Sequence, residues 1–263
     1  SGQLKVPHIW TERAKSTSFH WSIPDQPRIL VLMSGGTAIT RFPAAGVLFD
    51  IGGGTGFVSR GLQGAGIETV LVEPGPEGAQ NAKNRGLQHV VCASFQKAAF
   101  ESGKIPAIGV FDVVEHIEND LDFLTELHEK LMDQGRLYLT VPAFQSLWSA
   151  KDIHEGHFRR YTIDEIKGKL SRCGFDLEYA NYFFSFLLPP IFLLKALPFK
   201  LGFTRTHNTV KGQQEHTPLS GIKKNIINLL TRHEINKIKN NQPISFGSSI
   251  IVVAKRNSSF KKA

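Results

Sequence analysis

Two short stretches hold most of the side chains able to do chemistry. Asp112, Glu115 and His116 stand together in "FDVVEHIEND", and His154, His157, Arg159, Arg160 and Tyr161 crowd into "HEGHFRRY". Imidazole titrates near neutrality, so His157 is the first candidate for a general base and His116 the second. A structural hydrogen bond is an equal alternative for either histidine. Tyr161 and Glu115 complete the candidate catalytic set. Arg159 and Arg160, with His154, either bind an acidic substrate or tie their loop to acids such as Asp112 or Glu115.

A third stretch, "FDIGGGTGF" (49–57), is a glycine turn of the kind that lets a cofactor approach the backbone. A Walker-type phosphate loop requires Lys and then Ser or Thr after the last glycine, and Ser59-Arg60 stands further on instead. A nicotinamide site is a nearer rival, because "GGTGFVSR" looks like the opening of the extended short-chain dehydrogenases. Its last expected glycine is Ser59, however, and no Tyr in the chain has Lys four positions later.

Asp50-x-Gly52-x-Gly54-x-Gly56 resembles motif I of class I S-adenosylmethionine (SAM)-dependent methyltransferases. The resemblance implies that Asp50 lies near the ammonium of SAM, directly or through water. Glu73, 17 residues after Gly56, stands where an acid accepts both ribose hydroxyls. Gly53 and Pro74 adjoin these positions. "VVCASF" (90–95) aligns with the adenine segment; Ser94 replaces the usual acid there, and Phe95 is expected to pack on the ring. Asp112 closes the cofactor set. "DVVEH" resembles the "DVLEH" signature of the small-molecule branch, which includes ubiquinone-biosynthesis-like enzymes of methyltransferase types 11 and 23. "GHFRRYT" resembles a "GH-x-RRY-T" element of bacterial relatives. The resemblance covers about residues 45–181. It implies SAM as cofactor, S-adenosylhomocysteine as product and a small-molecule acceptor, with oxygen preferred over nitrogen or carbon.

Ubiquinone-type O-methyltransferases and small-RNA 2′-O-methyltransferases resemble the chain at E-x-x-E-H, where acids and histidine hold a divalent metal. The matching set is Asp112, Glu115 and His116, with His154 or His157 as a further ligand. D-x-x-E-H is also widespread in relatives without metal, so no resident metal is expected.

The elements that must position these residues follow from periodicity. "GVLFDI" (46–51), "TVLVE" (69–73), "HVVCA" (89–93), "IGVFDVV" (108–114), "RLYLTV" (136–141), "FDLEYA" (175–180) and "SSIIVVAK" (248–255) read as strands. Their near-continuous apolar runs suit strands buried on both faces. Residues 57–65, 76–86 and 120–132 read as helices, and "TIDE" (162–165) is a capping box opening another that stops at Gly174. The alternation predicts a Rossmann-like, doubly wound, seven-stranded mixed α/β sheet with helices on both faces. Residues 46–181 form its SAM-binding core, and 246–256 supply its last strand. Residues 3–45, with Trp10, Phe19 and Trp21, form a helical leader covering the cofactor cleft.

Residues 182–245 interrupt the alternation as an apolar and basic insertion. Its first part, "YFFSFLLPPIFLLKALPFKLGF", is too short to span a bilayer, which needs about 20 apolar residues. Pro189-Pro190 should break a continuous helix there. Residues 182–263 carry 13 Lys and Arg against 2 Asp and Glu, an asymmetry that favours an anionic partner. The segment reads as a lid, a dimer contact, or an anchor through 183–205 on an anionic membrane surface.

Two cysteines, Cys92 and Cys173, in no metal-like spacing suit a reducing compartment. Residues 1–20 lack the apolar run of a signal peptide. A cytoplasmic protein, peripheral on the inner face of the membrane, is the expectation. No nucleic-acid partner is expected, since no recognisable binding module is present. A nucleic-acid methyltransferase and a non-catalytic SAM- or NAD-binding protein are the alternatives.

Overall fold

Strands β1 (Leu48–Ile51), β2 (Thr69–Val72), β3 (Val90–Val91), β4 (Ile105–Phe111), β5 (Leu131–Pro142), β6 (Phe175–Phe183) and β7 (Ser249–Arg256) form one sheet. The computed structural model describes residue 39, residues 41–203 and residues 221–260. The strand order is 3-2-1-4-5-7-6, and only β7 runs antiparallel to its neighbours. The order reverses between β1 and β4, so their carboxyl ends open a crevice for ligands.

β7 shows why the strands read as unbroken apolar runs. Ile250, Val252 and Ala254 share one core with Leu124, Leu127, Ile166 and Leu170. Ile251 and Val253 face the other way, into a core with Leu48, Tyr138, Tyr179 and Ile238. Both faces are covered, and apolar residues alternate between two cores rather than between core and water.

The covering helices are α1 (Phe57–Gly64), α2 (Pro76–Asn84), α3 (Asp120–Lys130), α4 (Ala150–His154) and α5 (Ile163–Arg172). α5 begins at the expected box: Glu165 N–H donates to Thr162 Oγ1 at 3.3 Å, and Thr162 N–H donates to Glu165 Oε2 at 2.7 Å. Just beyond it, Gly174 takes φ +87°, a left-handed stop.

Three expectations need correction. β4 ends at Phe111 rather than Val114, because Asp112 turns to φ +55° and Val114–His116 form a 3₁₀ turn. β3 is only two residues long. Pro189-Pro190 does not break a helix: the pair sits in the first turn of α6 (Leu188–Ile191), where no intrahelical N–H is required. The helix continues through a π turn, Phe192–Ala196, into α7 (Leu197–Lys200). Pro198, the second residue of α7, lacks the N–H an α-turn would need, and the π turn ends two residues before it.

Within 182–245 the chain also forms α8 (Gly221–Lys239), a helix the sequence reading did not anticipate. Glu234 of α8 accepts hydrogen bonds from the amides of Phe184 and Ser185 at 2.7 Å each, fastening it to the end of β6. Trp10, Phe19 and Trp21 lie outside the described residues, as does nearly all of the expected leader. No helix among the described residues is long and apolar enough to cross a membrane.

Candidate active site

β1 delivers Asp50 to its carboxyl end, and the glycine turn follows. Gly52, Gly54 and Gly56 have φ of +71°, +56° and +73°, angles costly for any residue with a Cβ. They serve different ends. A Cβ on Gly56 would lie 2.4 Å from Leu87 and 2.8 Å from Ala82, so this glycine lets α2 pack on the turn. A Cβ on Gly52 would meet Val113 at 2.9 Å. A Cβ on Gly54 would meet nothing within 4 Å, so this part of the backbone is open for a ligand.

Two carboxylates brace the turn. Glu73 accepts from Gly54 N–H at 2.8 Å on Oε2 and from Gly75 N–H at 2.7 Å on Oε1. Each oxygen keeps a second lone pair for a vicinal diol. Burial pushes the Glu73 carboxyl up, and the two amides counter it. Asp50 lies beneath the turn, 1% exposed, accepting from Ser59 Oγ at 2.6 Å. Burial pushes its carboxyl up to about 6 despite that hydrogen bond. A Cβ on Gly53 would approach Asp50 Oδ2 to 2.6 Å, so the turn rests directly on this carboxylate.

The adenine segment departs from expectation. Phe95 is 4% exposed and packs on Phe100 and Phe123, with ring centroids 5.7 and 6.4 Å away. Its ring is core, with little surface to offer a cofactor. The Ser94 carbonyl accepts from the amides of Lys97 and Ala98 and starts a 3₁₀ turn. Pro74 is exposed beside Glu73.

At the end of β4, Asp112 turns back toward β5. Its N–H donates to the Thr140 carbonyl at 3.0 Å, and its Oδ1 accepts from Thr140 Oγ1 at 2.9 Å. Burial raises its carboxyl. Glu115, 1% exposed, is pushed well above the carboxylate range by burial and by Asp112. His116 is pushed down to about 4 by burial and by His157. The His116 and His157 rings meet edge to face at 4.7 Å, so the two histidines proposed from separate motifs adjoin.

Asp152, which the sequence reading passed over, organises the second motif. Its Oδ2 accepts from Ser149 N–H at 2.9 Å and from Ser149 Oγ at 3.1 Å, capping α4. Its Oδ1 lies 3.0 Å from His157 Nδ1 and 2.7 Å from Arg160 Nε. Burial pushes the Asp152 carboxyl up, but the hydrogen bonds from His157 and Arg160 outweigh it and hold the group far below the usual range. The available signal was "SAKD" (149–152), a Ser followed three residues later by an acid.

The arginines do tie the loop down, though not to Asp112 or Glu115. Arg160 is paired with Asp152, and Arg159 NH1 lies 2.8 Å from Asp120 Oδ2. Tyr161 is 1% exposed and donates to the same Asp120 oxygen at 2.8 Å, which makes it a core residue at the root of the loop. His154 is exposed at the end of α4, apart from the histidine pair.

The family model Methyltransf_23, described as a methyltransferase domain, matches residues 32–180. No curated protein matches the sequence. Among solved structures, one chain in the complex between the Haloferax volcanii Trm112 methyltransferase activator and a methyltransferase has a TM-score of 0.57 at 14% identity, covering 89% of this chain and 93% of that one. A SAM-dependent methyltransferase from Archaeoglobus fulgidus has a TM-score of 0.54 at 17% identity, with 87% and 94% covered. A SAM-dependent methyltransferase from Thermotoga maritima has 0.55 at 13%, with 88% and 91% covered. At such identities these structures speak to the fold alone. The family match spans more than half of the chain and includes the glycine turn, Glu73, Asp112, Glu115, His116 and the His157 loop; the chain therefore belongs to the SAM-dependent methyltransferases of this domain family.

Proposed function

We propose that the acceptor is a small apolar or lipid-linked molecule, methylated on oxygen, which reaches the site from an anionic membrane surface. The observation that carries this reading is the apolar face of 188–203. Leu193, Leu194, Leu201 and Phe203 are 56%, 75%, 63% and 71% exposed, and Lys195 and Lys200 lie among them. Such a face inserts side chains at an interface while its lysines remain with headgroups. It adjoins the chemistry: Lys195 is within electrostatic reach of Asp152, Glu155 and Arg160.

SAM supplies an electrophilic methyl group on a sulfonium. The open Gly54 backbone and the paired oxygens of Glu73 suit its backbone-lined and ribose portions. The chain must then orient the acceptor, exclude water and let a hydroxyl lose its proton. Glu115, His116 and His157 are the groups for that last task. Asp152, bonded at Nδ1, leaves Nε2 of His157 as the atom offered to a ligand.

The test uses SAM labelled in its methyl group, the full chain, and a panel of phenolic and enolic lipids presented in anionic vesicles. Label in an alkali-stable methyl ether of an organic-extractable product is expected. Label confined to amines or to nucleic acid would overturn this reading.

A further inference from the structure

The helical run 185–200 is fastened at two points. At its root Phe184 turns to φ +59°, and the buried carboxylate of Glu234 accepts the amides of Phe184 and Ser185. Further along, the π turn Phe192–Ala196 packs on the 3₁₀ turn Gln145–Leu147 that follows β5. Ala196 and Leu147 are both buried. The run is therefore held at the start of the loop that carries Asp152, His157 and Arg160 before any ligand arrives.

Lys195 sits on that π turn, next to the exposed Leu193 and Leu194. Its ammonium is within electrostatic reach of Lys151, Asp152, Glu155 and Arg160. Those four groups are already matched. Lys151 Nζ lies 3.2 Å from Glu155 Oε1, and Arg160 Nε lies 2.7 Å from Asp152 Oδ1. Asp152 is further engaged by Ser149 and His157. Lys195 has no hydrogen bond or ion pair among the described residues, so it is the cation left over. Burial lowers its pKa, and nearby Lys151 adds to the shift. The residue is still open enough to be reached by a ligand. A partly desolvated ammonium without an acceptor gains most from an anion brought to it.

We infer that Lys195 is a specificity-determining residue, which pairs with an oxyanion, a carboxylate or a phosphate ester, at the polar end of the acceptor. The order of groups fits an amphiphilic anion. Leu193 and Leu194 take the apolar tail, Lys195 takes the charge, and the loop with His157 receives the group to be methylated. An acidic substrate has no free arginine to meet on that loop, because Arg159 and Arg160 are spent on Asp120 and Asp152. Of the two lysines on the apolar face, Lys200 stays with the membrane headgroups and Lys195 turns to the site. This inference rests on the apolar acceptor proposed above and adds the charge that acceptor carries.

The experiment titrates the full chain, loaded with S-adenosylhomocysteine, with monomeric octyl phosphate, octanoate and octanol in a calorimeter. One equivalent of at least one anion is expected, bound about tenfold or more tightly than octanol. Lys195→Gln should bring the anions down to the level of octanol, with octanol and S-adenosylhomocysteine affinities and circular dichroism unchanged. Lys195→Arg should keep the preference, and so should Lys83→Gln on α2. The tighter of the two anions identifies the oxyanion that the acceptor carries. Co-sedimentation with anionic vesicles separates the acceptor from a lipid headgroup: Lys195→Gln should sediment like wild type. No binding, equal affinity for anions and octanol, a preference that survives Lys195→Gln, or a loss of vesicle binding in that variant would overturn the inference. Because no methyl transfer is measured, failure of the acceptor reading cannot be mistaken for failure of the anion site.

Discussion

Ser59 Oγ donates to Asp50 Oδ2 at 2.6 Å, joining the first turn of α1 to the end of β1 beneath the glycine turn. In sequence, Ser59 looked like a lost glycine; in space it is the partner of the acid in front of the loop. Both residues are essentially buried, at 0% and 1% exposure, so the pair supports the turn from below.

Asp50→Asn should therefore stabilise the fold in a pH-dependent way. Burial, and secondarily Glu73, raise the Asp50 carboxyl from 3.8 to about 6 despite Ser59. A raised native pKa gives stability that is full below 3.8 and lost as pH rises through about 6. That displacement corresponds to about 3 kcal/mol. The Asn variant escapes this loss: its advantage in chemical denaturation should be largest near neutrality and fade toward the unfolded value. An advantage independent of pH would show that Asp50 is not the titrating group.

The glycines separate folding from binding. Gly56→Ala should cost about 2–4 kcal/mol, since its Cβ would overlap Leu87 and Ala82 and its φ is +73°. Gly54→Ala has open space around it and should cost only about 1 kcal/mol through its φ of +56°. Calorimetry with SAM should nevertheless show a large affinity loss for Gly54→Ala. Equal SAM affinity in Gly54→Ala and wild type would move the cofactor elsewhere.

Glu73→Ala removes the acceptor for two amides and both oxygens offered to a diol. SAM and S-adenosylhomocysteine should each bind about 100-fold more weakly, in line with charged hydrogen bonds of about 1.5–3 kcal/mol. Glu73→Gln, which retains one acceptor oxygen, should fall between. The fold should survive, checked by thermal melting.

Asp120 is 4% exposed on its side chain and receives Arg159, Lys169 and Tyr161. Burial pushes its carboxyl up, but these three partners win and hold it below 3.8. A depressed native pKa gives stability present above 3.8 and lost as pH falls through the native value. Asp120→Asn should cost about 2–3 kcal/mol near neutrality, with the deficit shrinking in acid, as urea unfolding would reveal.

Membrane attachment has a simple readout. Leu194→Ser with Phe203→Ser should lower co-sedimentation with anionic vesicles about tenfold, and added salt should weaken the wild type. Binding indifferent to both would leave this face for a lid or a second copy of the chain.

Much of the strand and glycine-turn framework was legible because it is local. A β-strand, a glycine turn and an acid at the next strand end are separated by fixed short distances, and each leaves its mark in consecutive residues. Phe95 misled for the same reason: periodicity cannot say whether an aromatic beside a ligand segment faces the ligand or Phe100 and Phe123. The Pro189-Pro190 pair was misread because proline breaks a helix interior but starts a helix well.

By itself the sequence determined the sheet, the glycine turn, Glu73 and the two chemical motifs, since burial periodicity and turn chemistry are written along the chain. Only the tertiary structure decided how charged groups pair. It gave Arg159 to Asp120, Arg160 and His157 to Asp152, and set His157 against His116 across 41 positions. Such pairs are chosen by which loop ends meet above the sheet, and the energy of a carboxylate depends on what shares its low-dielectric surroundings.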